Sequence, residues 1–181
     1  MEPSETLTWE DVVLRRARPA FATELYEVIE DGRPHIAAWM PWAVEQTYQD
    51  TVDFLAKATG DWESGEAYNY SIFVADRLVG GISLMTRRGP GCLEIGYWLH
   101  PAAVGRGTVT KASRALLDVA FAMPGIDRVE ILHDAGNTRS GAVPARLGFT
   151  EVERMPTDRV TGNHTGLDVL WRLTRSGATV S

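Results

Sequence analysis

The stretch GYWLHPAAVGRGTVTKASRALLDVAF, Gly96 to Phe121, constrains this chain more than any other. An apolar, aromatic strand passes through Pro101 into a loop holding Gly105 and Gly107. A helix from about Gly107 to Ala122 follows at once, with Val109, Ala112, Leu116, Val119 and Ala120 as its buried stripe and Pro124-Gly125 as its stop. Its first N–H groups lack partners and carry partial positive charge. Two glycines at that point permit positive φ and close approach of the backbone to a ligand. The junction therefore reads as an anion site, suited to a phosphate or pyrophosphate. Competing nucleotide motifs fail on spacing: there is no GxxxxGK[ST], and no GxGxxG after the first strand.

The rest of the chain alternates in the same way. DVVLRRAR is a strand, and AFATELYEVIEDG a helix with Gly32 as its stop. HIAAWMPWAVEQ is an aromatic loop broken by Pro41. QTYQDTVDFLAKATGDWESG is a second helix, with Tyr48, Val52, Leu55 and Trp62 along one side. YNYSIFVA and LVGGISLMT form a hairpin about a turn at Asp76-Arg77, and CLEIGYWL is a third strand. After the glycine-loop helix come strand RVEILH, short helix NTRSGAVPARLGF closed by Gly148, and strands TEVERM and LDVLWRLT, the last offering a dimer surface. This order predicts one α/β (α+β) domain: a mixed, strongly twisted sheet of about seven strands flanked by about four helices.

Composition narrows the function classes. With 181 residues the simplest reading is a single domain over 1–181, core about 12–174. The net charge of −6 speaks against a nucleic-acid or membrane-surface binder and suits a cationic partner. The lone Cys92 reads as a small buried hydrophobe. No signal pattern and no long apolar run is present, so a cytoplasmic location is expected. His35, His100, His133 and His164 lack metal-type spacing, and no metal is expected.

A second strand-to-helix junction, NTRSGAVPARLGF, sets Asn137 and Ser140 early in a helix some thirty residues beyond the first. Alone, Asn137 reads as an N-cap and Ser140 as a surface polar residue. Together the two junctions resemble the GNAT N-acetyltransferases, and within them the RimJ/RimL branch that acetylates protein N-terminal amines. EIGYWLHP…GRGTVTKA is similar to the branch's strand, pyrophosphate loop and helix, and NTRSGAVPARLGF to its N-x-x-S-x-x-V-x-x-x-L-G-F segment. HIAAWMPWA is similar to its tryptophan-rich loop and LVGGISL to one of its strands. The resemblance covers about Val12 to Thr174.

The resemblance implies an acetyl-CoA-dependent N-acetyltransferase working by direct attack in a ternary complex. Val104, Gly105, Arg106, Gly107, Thr108 and Val109 would hold the pyrophosphate through backbone amides. Leu99 and His100 would lie along the pantetheine arm, with an amide near Leu99 facing the thioester carbonyl. Asn137 would touch the cofactor, and Ser140 would protonate the departing thiolate. This chain departs from the family pattern at Ala102, Lys111, Pro144 and Ala145, positions expected to lie outside the chemistry.

Acetyl transfer also needs a neutral amine. Glu94 is the leading base, on the strand face shared by Gly96 and Trp98; Asp158 is the second choice. At pH 7 an α-amine is neutral about one time in seven and a lysine only a few times in ten thousand, a gap of about 3.5 kcal/mol. That favours a protein or peptide N-terminal α-amine as acceptor. Trp39 and Trp42 suit a wall of the acceptor groove, though a core-covering loop is the alternative. A small-molecule amine acetyltransferase of antibiotic or polyamine type, and a non-catalytic acyl-CoA-binding module, stay open, as do monomer and homodimer.

Overall fold

The computed structural model describes residues 2–177. Strands β1 (Thr6–Trp9), β2 (Val12–Arg16), β3 (Ala67–Val74), β4 (Arg77–Met85), β5 (Cys92–Leu99), β6 (Arg128–Asp134), β7 (Thr150–Pro156) and β8 (Leu167–Thr174) form one sheet in the order β1-β2-β3-β4-β5-β6-β8-β7. Helices α1 (Ala22–Ala37), α2 (Tyr48–Ser64), α3 (Thr108–Ala122) and α4 (Thr138–Arg146) flank it. Every neighbouring pair is antiparallel except β5 and β6, which run parallel because α3 crosses between them.

Two apolar clusters hold the helices to the sheet. Ala112, Leu116 and Ala120 of α3 are fully buried against Ile82, Ile95 and Ile131. Leu25 and Ile29 of α1 and Leu55 of α2 pack with Phe73 and Leu78 in the other. Thr47 starts α2 with a reciprocal capping box to Asp50, and Gly65 ends it with φ 76°.

The expected order holds, with five differences. An eighth strand precedes the expected first one: Thr6–Trp9 pairs with β2, exposed on alternate residues as an edge strand can be. Gly32 does not stop α1, which runs on through Gly32 and Pro34 to Ala37. A Cβ at Gly32 would stand 2.8 Å from the His100 ring, so the glycine admits a neighbour. The β3–β4 turn is Ala75-Asp76, both at positive φ, one residue before the expected pair. Tyr48 is exposed, and Thr51, Ala58, Leu55 and Trp62 form the buried side of α2. Finally, LDVLWRLT lies between β6 and β7, so β7 is the sheet edge and β8 offers no free strand surface for a dimer.

The feature that positions the site is a parting of β5 from β6. Their pairing runs from Cys92↔Arg128 to Ile95↔Ile131 and ends there, although β5 continues to Leu99 and β6 to Asp134. Strand β4 stays paired with β5 as far as Gly80↔Leu99. The His100 N–H donates to Val79 O at 2.8 Å, and strand alternation then turns the Tyr97 and Leu99 main-chain groups toward the gap. The sheet thus opens into a V with unpaired peptide groups on one wall.

Candidate active site

Two cavities meet at the V. The outer cleft, about 1560 Å³, runs past Leu99, Val104, Gly105, Gly107, Thr108 and Val109. Gly107 is the N-cap of α3 with φ 72° and supplies no side-chain cap, and Gly105 has φ 81°. A Cβ at either glycine would meet nothing within 4 Å, so conformation rather than crowding demands glycine, and the space above is open. Lys111 N–H makes the first helical bond, to Gly107 O, which leaves the amides before it aimed at the cleft. Arg114, Arg139 and Arg146 also line it, and none is ion-paired among the described residues. An amide cradle, three free guanidinium groups and an unpaired strand edge together fit a long anion carrying both phosphates and amides.

The His100 ring and the Arg106 side chain stand outside the cleft. His100 accepts from the Ala102 N–H through Nδ1 (3.2 Å), so its Nε2–H donates to Asp31 (2.8 Å) and the ring is turned toward α1. The Arg106 side chain is exposed on the loop outside the cleft lining, while its main-chain amide, the group expected to bind, stays within the Val104–Val109 run.

The inner cavity, about 580 Å³, is apolar and aromatic with carboxylates at its floor. Trp39 stacks on His164 (centroids 6.1 Å) and Trp42 stands edge-on to Trp98 (5.7 Å), so both tryptophans are walls of this space. Three carboxylates at the floor differ in their partners. Glu94 is buried and ion-paired with Arg87, with Arg88 3.7 Å away. Asp134 accepts from Gly136 N–H, Thr165 N–H and Thr165 Oγ1–H at 2.8–3.0 Å. Burial opposes its ionisation, but those donors outweigh it and hold the carboxyl below its usual range. Asp168 faces Asp134 across the β6–β8 ladder and has no hydrogen-bond or ion-pair partner among the described residues. Burial, and then the charge of Asp134, push its pKa up. Asp158 is exposed in the β7–β8 loop and lines neither cavity. His133 accepts from Trp171 Nε1–H at 2.9 Å, so its proton is on Nδ1, donated to Asp134 O.

Asn137 and Ser140 lie where the two cavities join. Asn137 caps α4, accepting the Ser140 N–H at 3.3 Å. Ser140 Oγ–H donates to Tyr97 Oη at 3.1 Å, and Tyr97 Oη–H donates to Ser140 O at 2.9 Å. Burial raises the Tyr97 phenol to about 12. The second bond has a sequence cause. Pro144 has no N–H to give Ser140 O the usual i→i−4 bond, and Tyr97 takes its place. Pro144, expected to be remote from the chemistry, thus shapes the surroundings of Ser140.

Tyr97 and Asp168 were not singled out from the sequence. Tyr97 sits inside the quoted strand but shows its role only once α4 is packed beside it. Asp168 is a lone acid at the start of an apolar strand, which was the available signal.

Residues 11–150 match the family model described as an acetyltransferase (GNAT) domain. The chain is 31% identical over 157 residues to a ribosomal N-acetyltransferase, YdaF, so described provisionally, of Bacillus subtilis, covering 78% of this chain and 79% of that one. Its fold is similar to that of a RimL ribosomal L7/L12 α-N-protein acetyltransferase in complex with coenzyme A (TM-score 0.86, 20% identity, 94% and 98% coverage). It is also similar to Mycobacterium smegmatis RimJ (TM-score 0.85, 22% identity, 97% and 88%) and to a microcin self-immunity acetyltransferase, MccE, with acetyl-CoA and AMP (TM-score 0.84, 22% identity, 91% and 93%). With the family model matched across most of its length, this chain belongs to the GNAT acetyltransferases and is an acyltransferase.

Proposed function

We propose that the protein acetylates a protein or peptide N-terminal α-amine from acetyl-CoA, by direct attack with both substrates bound, in the cytoplasm. One observation carries this: the parting of β5 and β6 joins a cationic, amide-lined cleft to an acidic, aromatic cavity. The first suits coenzyme A and the second an amine. The amides of the Val104–Val109 loop and the free arginines would hold the phosphates, and the Tyr97–Leu99 edge would take the pantetheine amides as an added strand. The cofactor supplies an activated acetyl group; everything else falls to side chains and amides of this chain.

The Leu99 amide, turned into the gap, is the donor for charge developing on the acetyl oxygen. Asp168 is the carboxylate that takes a proton from the incoming ammonium group, since it alone of the three floor carboxylates has no partner among the described residues. Glu94, ion-paired with Arg87, adds no net charge to the floor in this reading. Ser140 gives a proton to the departing sulfur. Trp39 and Trp42 grip the residue behind the amine.

The cavity's modest volume favours a second reading, a small-molecule amine acceptor. Following thiol release from acetyl-CoA with N-terminal peptides, ε-amine peptides and small amines separates the two. Turnover with α-amine peptides above all others is expected; turnover confined to small amines contradicts the proposal.

A further inference from the structure

Six residues line both cavities: Trp39, Met40, Tyr97, Trp98, Asn137 and Ser140. Of these only Tyr97 and Ser140 carry a hydroxyl, and the two hydroxyls are hydrogen-bonded to each other. Tyr97 Oη also lies within bonding distance of two acceptors on one residue, Ser140 O at 2.9 Å and Ser140 Oγ at 3.1 Å. Its proton moves from one to the other by rotation about the phenolic C–O bond. The carbonyl is open to it because Pro144 cannot donate there. No ion pair engages Tyr97, and its ring packs on the apolar cluster beside α3.

We propose that Tyr97 is a further catalytic residue that relays a proton from the incoming amine to Ser140, and through it to the leaving sulfur. The inference rests on the acetyl-transfer reading and adds a route to it. Transfer from a neutral amine forms a C–N bond, breaks the C–S bond, removes one proton from nitrogen and adds one to sulfur. As nitrogen releases its proton to Tyr97 Oη, Tyr97 passes its own to Ser140 Oγ and Ser140 passes its own to sulfur. Both hydroxyls end as they began, and no proton is exchanged with bulk water in this step. The earlier proton, lost when the ammonium group becomes an amine, leaves by Asp168. The phenol keeps its proton throughout the neutral range, because burial raises it to about 12.

The test is the rate of a single turnover, measured as thiol release in mixtures of H₂O and D₂O. In the unaltered protein, protons moving together at Tyr97 and Ser140 give a bowed dependence on deuterium fraction. Tyr97→Phe keeps the ring and removes the relay. It is expected to slow turnover about tenfold or more, with acetyl-CoA affinity changed less than about twofold, and to straighten the dependence. A straight line in the unaltered protein, or Tyr97→Phe at full rate, overturns the relay while leaving acetyl transfer intact. The first result needs no variant, so it holds even if the substitution disturbs folding. Absence of thiol release from the unaltered protein with every amine overturns the acetyl-transfer reading, and the relay with it.

Discussion

At the scale of single residues, the site works by leaving chosen groups without partners. Asp168 is the clearest case, a carboxylate kept unpaired beside a neighbour that is fully satisfied. Asp168→Asn is expected to lower turnover about 10²–10⁴-fold, as loss of a general base does, with little change in acetyl-CoA affinity measured by calorimetry. Because the folded state raises this group's pKa, the folded protein holds the proton to higher pH than the unfolded chain does. Stability is therefore lost as pH rises through the folded value. Asp168→Asn should accordingly raise the neutral-pH melting temperature while it lowers activity; a fall in both would show that Asp168 serves packing instead. Activity in the unaltered protein should rise through the same pH window, as the carboxylate form appears. Ser140→Ala should reduce turnover without weakening cofactor binding, and equal loss of both would remove Ser140 from the proton path.

At the scale of elements, Gly32 shows how a position can mislead. In an exposed helix, Gly→Ala gains about 1 kcal/mol. Here the added Cβ would meet the His100 ring at 2.8 Å and Pro101 at 3.0 Å, and that ring is pinned by Asp31 and the Ala102 amide. Gly32→Ala is expected to destabilise by about 1–3 kcal/mol in denaturant unfolding, as overpacking does; a gain in stability would mean the ring yields freely. The same case explains what could be read ahead of the structure. Strands and helices with strong apolar periods, such as CLEIGYWL and the α3 stripe, stood out because burial dictates their residues. The two glycine-bearing junctions were legible because few residues tolerate that backbone. Gly32 was read as a stop because its reason lies across space, in His100. Strand β1 was not legible because its alternation of Thr6 and Thr8 with Leu7 and Trp9 runs for only four residues, and Tyr97 because its partner is forty-three positions away on α4. Glu94 and Asp168 look alike in sequence; only the arrival of Arg87 at one of them tells them apart.

At the scale of the molecule, charge is sorted by substrate. The segment Ala22–Ser64, covering α1, α2 and the loop that walls the acceptor cavity, carries nine acids against two bases. The remainder of the chain carries fifteen acids and sixteen bases, and three of its arginines line the outer cleft with no ion-pair partner among the described residues. The chain's net −6 is thus a segment of −7, which walls part of the inner cavity and sets Asp50 on its lining, and a remainder of +1. Fields of this kind draw opposite charges to opposite sides of one site and weaken with salt over a Debye length of about 8–10 Å. Peptide acceptors with lysine behind the N-terminal residue are expected to show higher kcat/KM than the same peptides with glutamate. The gap should narrow between low and high salt, and a preference for the acidic peptides would contradict this charge sorting.

The central claim is that the Val104–Val109 amides and the opened β5 edge bind acetyl-CoA. Calorimetric titration of the purified protein tests it most directly, with Gly107→Val run in parallel. The account predicts saturable heat with a Kd between about 1 μM and 1 mM, lost in the variant because a β-branched residue cannot hold φ 72° at that N-cap. No heat with acetyl-CoA, or equal heat in both proteins, would contradict it.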